Sequence, residues 1–158
     1  MRQPTANLIE LDLPRCLELV GQQGVGRLAF DDGHGPVIVP LNYTFHGGIL
    51  HMRTDDGSKL EAAERRSPAA FEIDVVDLER AEGWSVVIRG RLRRMVAPEG
   101  AGYPGEPEPV ATGDRDHLIG LVPASITGRE LRPTEPVHKP SVPAGNTWWG
   151  RDGDDLLG

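Results

Sequence analysis

The side chains best suited to chemistry lie close together in one stretch, Leu50-His51-Met52-Arg53-Thr54-Asp55-Asp56-Gly57-Ser58-Lys59-Leu60. It offers a cation at the end of an apolar-patterned run (Arg53), two hydroxyls (Thr54 and Ser58), a turn glycine (Gly57) and a second cation (Lys59) where helix-forming residues begin. A phosphate group suits this set. Free N–H groups at a helix start and hydroxyl donors hydrogen-bond its oxygens, and two cations neutralise its charge. One such charge pair near a surface is worth about 4 kcal/mol before desolvation is subtracted. The same residues also fit a solvated loop in which Arg53 and Lys59 pair with Asp55 and Asp56, and the residue types by themselves leave both readings open.

Other candidates fail on context. Gly24-Val25-Gly26-Arg27-Leu28-Ala29 has the spacing of a dinucleotide-binding turn, but it follows a helical pattern and opens a strand, the reverse of what that turn requires. His34, His46, His51, His117 and His138 show neither close helical spacing nor acidic companions, so no metal is expected. Cys16 falls on the apolar face of a short helix and reads as a core residue, not a nucleophile. Trp84, at the start of a long strand pattern, brings area and one N–H donor but no acid or base, so it reads as a residue lining a site or an interface. No side chain is assigned as a general acid or base.

The elements that must position these groups are short. Leu13, Cys16, Leu17 and Val20 recur at helical spacing behind Asp12 and Pro14. Strand patterns follow at 25–30 and 36–43 around a turn rich in Asp and Gly, then at 49–54 after a second turn at 45–48. A helix is expected from Ser58 to Arg66, stopped by Pro68, with strands at 70–75 and 84–96. The proline-rich stretch 97–114 reads as a loop, and 117–122 and 126–131 as a sixth and a seventh strand. Many short strands with two helices and no parallel α/β alternation indicate a mainly β protein with short helices. One domain over 1–131 is expected, with a Pro-rich tail at 132–158 that carries few aliphatic residues apart from Trp148 and Trp149.

Charge and composition restrict the partners. With 17 basic and 24 acidic residues the net charge is −7, which disfavours nucleic acid and anionic membranes as partners. Any anion must be held by a local group of cations. A single cysteine implies no intrachain disulfide, and neither a basic-then-apolar opening nor a bilayer-length apolar run is present, so a cytoplasmic protein is expected.

In order along the chain, Val25-Gly26-Arg27-Leu28-Ala29-Phe30, Val39-Pro40-Leu41-Asn42-Tyr43, Arg53-Thr54 with Gly57-Ser58-Lys59, Phe71-Glu72-Ile73-Asp74, Gly83-Trp84-Ser85-Val86 and Ile126-Thr127-Gly128-Arg129 resemble the pyridoxamine 5′-phosphate oxidase-like flavoproteins. The resemblance implies an antiparallel split β-barrel that binds FMN between the two subunits of a homodimer and acts as an oxidoreductase on a small molecule. It implies that Arg53, Thr54, Ser58 and Lys59 hold the FMN phosphate, that Pro40, Leu41 and Asn42 pass the isoalloxazine ring, and that Trp84 and Ser85 reach the flavin of the other subunit. Two alternatives keep the fold: a reductase using the deazaflavin F420, whose acidic tail could draw on Arg27, Arg65 and Arg66, and a protein that binds flavin without turnover. The C-terminal arginine and histidine pattern of the vitamin B6 oxidases is not recognisable, so oxidation of vitamin B6 is not expected.

Overall fold

The computed structural model describes residues 5–22, 24–96, 107 and 117–134. Eight strands and two short helices follow one another as β1 (Ala6–Leu11), α1 (Leu13–Val20), β2 (Val25–Asp31), β3 (Pro36–Asn42), β4 (Thr44–His46), β5 (Ile49–Thr54), α2 (Ser58–Glu64), β6 (Pro68–Asp77), β7 (Glu82–Met95) and β8 (His117–Pro133). All pairings are antiparallel, in the order β3-β2-β6-β7-β8-β5-β4, with β1 added along β8. The sheet curls until β3 approaches β5 without pairing to it, which is the expected split barrel.

β8 is the spine. One edge pairs with β7 along nearly its whole length, while the other meets β5 over His117–Leu121 and β1 over Gly128–Pro133. The sequence pattern divides this stretch into two strands at Pro123, because proline removes a ladder donor. The chain keeps one strand by placing Pro123 at a bulge, where the register passes from Arg89↔Ser125 to Gly90↔Pro123 and skips Ala124. Gly90 makes this approach possible: a Cβ there would lie 1.9 Å from the Val122 carbonyl oxygen.

Two further elements differ from the sequence reading. β1 was not anticipated, since a short edge strand whose partner lies at the other end of the chain leaves little local signal. The second turn is tighter than expected: Phe45 and His46 belong to β4, and Gly47 (φ 60°) and Gly48 (φ 78°) alone make the reversal.

The interior is built from alternate residues of the strands, among them Leu28, Leu50, Met52, Phe71, Ile73, Ile88 and Leu121. Helix α1 starts at Asp12, whose carboxylate accepts from the Arg15 N–H at 2.9 Å, and buries Cys16, Leu19 and Val20. Cys16 is thus a core residue as expected, and burial raises its thiol pKa, but Leu13 and Leu17 face solvent in place of the predicted apolar stripe. Helix α2 buries Leu60, Ala62 and Ala63. It is capped by Gly57 without a side-chain hydrogen bond, and it ends with the Arg66 N–H on the Ala63 carbonyl and the Ser67 N–H on the Ala62 carbonyl. Arg66 therefore takes the left-handed position of this ending, with φ 54°. Glycine is the ordinary occupant, and a residue with a Cβ costs about 1–2 kcal/mol there.

The loop expected at 97–114 lies outside the described residues except for Pro107, as does the tail beyond Thr134. Among the described residues no helix is long and apolar enough to cross a membrane, and no cluster of metal-ligating side chains occurs.

Candidate functional site

The period of two along β5 divides the candidate residues. Leu50, Met52 and Thr54 are buried on the inner face, so Arg53 belongs to the opposite face, where it is half-buried. The Thr54 hydroxyl donates to the Asp55 carbonyl at 3.2 Å, which leaves its oxygen able to accept but not to donate. An anion at this corner would find its side-chain donors in Arg53, Ser58 and Lys59. Lys59 is half-buried and makes no ion pair with any described residue, and neither Asp55 nor Asp56 pairs with it. The solvated-loop reading is therefore not what the geometry shows for Lys59. With only seven residues α2 contributes a weak dipole, so an anion here would depend mainly on side-chain cations.

Asp56 has a different partner. Its carboxylate lies 2.9 Å from Nε2 of His117, and Nδ1 of the same ring lies 3.4 Å from Nη2 of Arg94, which also binds Glu64 at 3.0 Å through Nη1. Arginine can only donate, so Nδ1 accepts and the Nε2 N–H donates to Asp56. This chain of contacts ties the loop before α2, and the end of α2, to β7 and β8. It positions Ser58 and Lys59, and sequence reading missed it because its partners lie 61 and 30 residues apart.

Pro40, Leu41 and Asn42 occupy β3, the edge strand that faces β5 across the split. Leu41 is in the core, whereas Pro40 is exposed and Asn42 half-buried. An edge strand leaves alternate backbone N–H and C=O groups unused by the ladder, and these can read the polar rim of a planar ring.

Trp84 and Ser85 are not brought to this place within one chain. Arg53 stands opposite Leu118, which stands opposite Met95, whereas Ser85 lies ten residues earlier on β7. At about 3.3 Å per residue that is roughly 33 Å along the strand. Trp84 instead borders a cavity of about 480 Å³ with Val75, Arg80, Glu82, Glu130 and Pro133. Beside it stand exposed apolar side chains, Val75, Val76 and Leu78.

The arginines considered for an acidic tail are partly committed. Arg27 bridges from β2 to β6, binding Glu72 at 2.8 Å through Nε and Asp74 through Nη2, and these hydrogen bonds hold its pKa above the ordinary value. Arg65 pairs with Glu61 at 3.8 Å. Arg66 has no ion pair among the described residues.

This antiparallel chain, with a basic corner after its fifth strand, belongs to the class of small split β-barrels. The family model for pyridoxamine 5′-phosphate oxidase matches residues 12–130, and the chain belongs to that family. It is 30% identical over 132 residues to the uncharacterized protein Rv0080 of Mycobacterium tuberculosis, covering 80% of this chain and 87% of that protein. The FAD binding protein of Mycobacterium smegmatis superposes with a TM-score of 0.61 at 25% identity, over 80% of this chain and 100% of that one. A provisionally assigned pyridoxamine 5′-phosphate oxidase of Corynebacterium glutamicum gives a TM-score of 0.66 at 26% identity, over 78% of this chain and 98% of the other.

Proposed function

We propose that this protein is a flavin-dependent oxidoreductase that binds FMN at an interface between two copies of the chain and acts on a small molecule. The observation that carries the reading is Lys59, a half-buried ammonium with no described carboxylate partner, at the same corner as Arg53 and Ser58 in a chain with net charge −7. Among the described residues this cation has no counter-charge, and a phosphate would supply one. Arg53, Ser58 and Lys59 would hold that phosphate, with Thr54 shaping the corner from the inner face. Edge strand β3 at Pro40, Leu41 and Asn42 would bind the ring, and Trp84 and Ser85 would close over it from the second subunit. A flavin bound there supplies hydride acceptance and donation at its ring, while the protein provides orientation and excludes water.

Flavin binding also draws support from structural relatives described as FAD binding proteins, and FAD would present its first phosphate to the same corner. The F420 alternative draws less support, because Arg27 and Arg65 already have acidic partners. Oxidation of a reduced nicotinamide by the holoprotein separates an enzyme from a protein that only binds flavin.

The binding site is tested with Lys59→Ala. Loss of one charge-assisted contact of about 1.5–3 kcal/mol lowers FMN affinity by roughly ten- to a hundredfold. Riboflavin, which has the ring but no phosphate, should bind the variant as it binds the unaltered protein. Equal losses for both ligands in a folded variant would remove Lys59 from the phosphate site and the main support for this reading.

A further inference from the structure

We propose a second anion site, formed by Arg66, Arg91 and Arg93, that takes a small organic phosphate of mononucleotide size. The three arginines border a cavity of about 300 Å³ whose other walls are Leu92, Val122, Pro123 and Ala124. The cavity lies at the β7–β8 bulge, where Ala124 is passed over by the register. Arg66 follows the C-terminal end of α2, the opposite end from Ser58 and Lys59.

Three observations point to a ligand. First, the three cations around this cavity have no carboxylate partner among the described residues. Arg15, Arg27, Arg65, Arg80, Arg94 and Arg132 each pair with a carboxylate, whereas Arg66, Arg91 and Arg93 make no ion pair among the described residues. Arg89 and Arg129 also lack an ion pair among the described residues, but only Arg66, Arg91 and Arg93, all exposed, share one cavity. Second, Arg66 holds a left-handed backbone position that glycine fills without strain, so its side chain is kept against the preference of the local fold. Third, Nη1 of Arg91 donates to the Arg66 carbonyl at 3.1 Å, which fixes the turn that carries one guanidinium to the strand that carries the other two.

The chemistry of the ligand follows from the walls. Guanidinium forks match the paired oxygens of phosphoryl groups. The aliphatic walls favour an organic body beside that group over a bare ion. A volume near 300 Å³ is at the lower end of small-molecule sites, which fits a phosphate with a sugar or ring and excludes a full dinucleotide.

The test titrates the purified holoprotein with AMP, adenosine and inorganic phosphate, following heats of binding and thermal stability. AMP should bind more tightly than phosphate, adenosine should not bind measurably, and added salt should weaken AMP. Arg66→Gly should leave the melting temperature unchanged or raise it while lowering AMP affinity by roughly tenfold, as removal of one charge-assisted contact does. Arg93→Gln, which does not touch the turn, should lower AMP affinity similarly, and Lys59→Ala should leave it intact. The proposal is overturned if millimolar AMP fails to bind, if adenosine binds as well as AMP, or if Arg66→Gly and Arg93→Gln leave AMP affinity unchanged. It is also overturned if AMP affinity falls with Lys59→Ala, which would place AMP at the flavin corner. FMN binding by the arginine variants reports separately on the flavin reading.

Discussion

The Tyr43 hydroxyl donates to the Val20 carbonyl at 2.6 Å, and its ring meets Phe71 edge-on at 5.2 Å, which anchors α1 to the sheet. Burial pushes its pKa from 10 up to about 12. Below pH 10 the phenol is neutral in both folded and unfolded chains, so its stabilisation is complete. As pH rises the unfolded phenol ionises first, and stability falls between about 10 and about 12, by on the order of 2–3 kcal/mol. Tyr43→Phe should flatten this alkaline decline in urea unfolding curves while costing about 1 kcal/mol at neutral pH for the lost hydrogen bond. An unchanged decline in the variant would assign it to other groups. His51 acts in the opposite direction. Burial, and then the neighbouring His46, lower its pKa from the ordinary 6.5. Its stabilisation is complete above pH 6.5 and is lost as pH falls through the depressed folded value. His51→Gln should therefore lose less stability than the parent between pH 6.5 and 5. At this scale the proposed cationic corner was legible in the sequence, because Arg53, Ser58 and Lys59 are near neighbours in the chain. It did not show the contacts among Asp56, His117 and Arg94, which exist only once β8 lies between β5 and β7.

The elements most legible in the sequence were those with a strong local pattern: β2, β3, β5, β6, β7 and both helices. Elements defined by a distant partner were less so. β1 exists because β8 offers it an edge, and β8 is one strand because a bulge accommodates Pro123. The same bulge makes a test. Alanine at Gly90 would place a Cβ 1.9 Å from a backbone oxygen, an overlap that no rotamer change can relieve. Gly90→Ala should destabilise the fold by about 3 kcal/mol in chemical denaturation. Gly24→Ala, where nothing lies within 4 Å of the added carbon, should change stability by about 0.5 kcal/mol or less. Similar values for the two would mean that the strands separate at the bulge without cost and that Pro123 marks a real break.

At the scale of the whole molecule, the separation between Lys59 and Trp84 decides how a complete site can arise. In a single chain the rungs of Arg53 and Ser85 are ten residues of β7 apart, so the two ends can serve one flavin only if they come from different copies. The exposed Val75, Val76 and Leu78 around the Trp84 end are apolar surface of the kind that a second subunit covers. Mixing experiments separate this arrangement from a site completed within one chain. Lys59→Ala and Trp84→Ala homodimers should each bind FMN weakly, because every site in either contains one defect. After subunit exchange, each heterodimer should hold one site with both defects and one with none, so random mixing restores roughly a quarter of all sites to full affinity. A site completed within one chain gives no recovery on mixing, since every subunit still carries its own defect. Sedimentation supplies the independent check. A chain that stays monomeric at micromolar concentration and still binds FMN tightly would exclude the shared site and remove Trp84 and Ser85 from it.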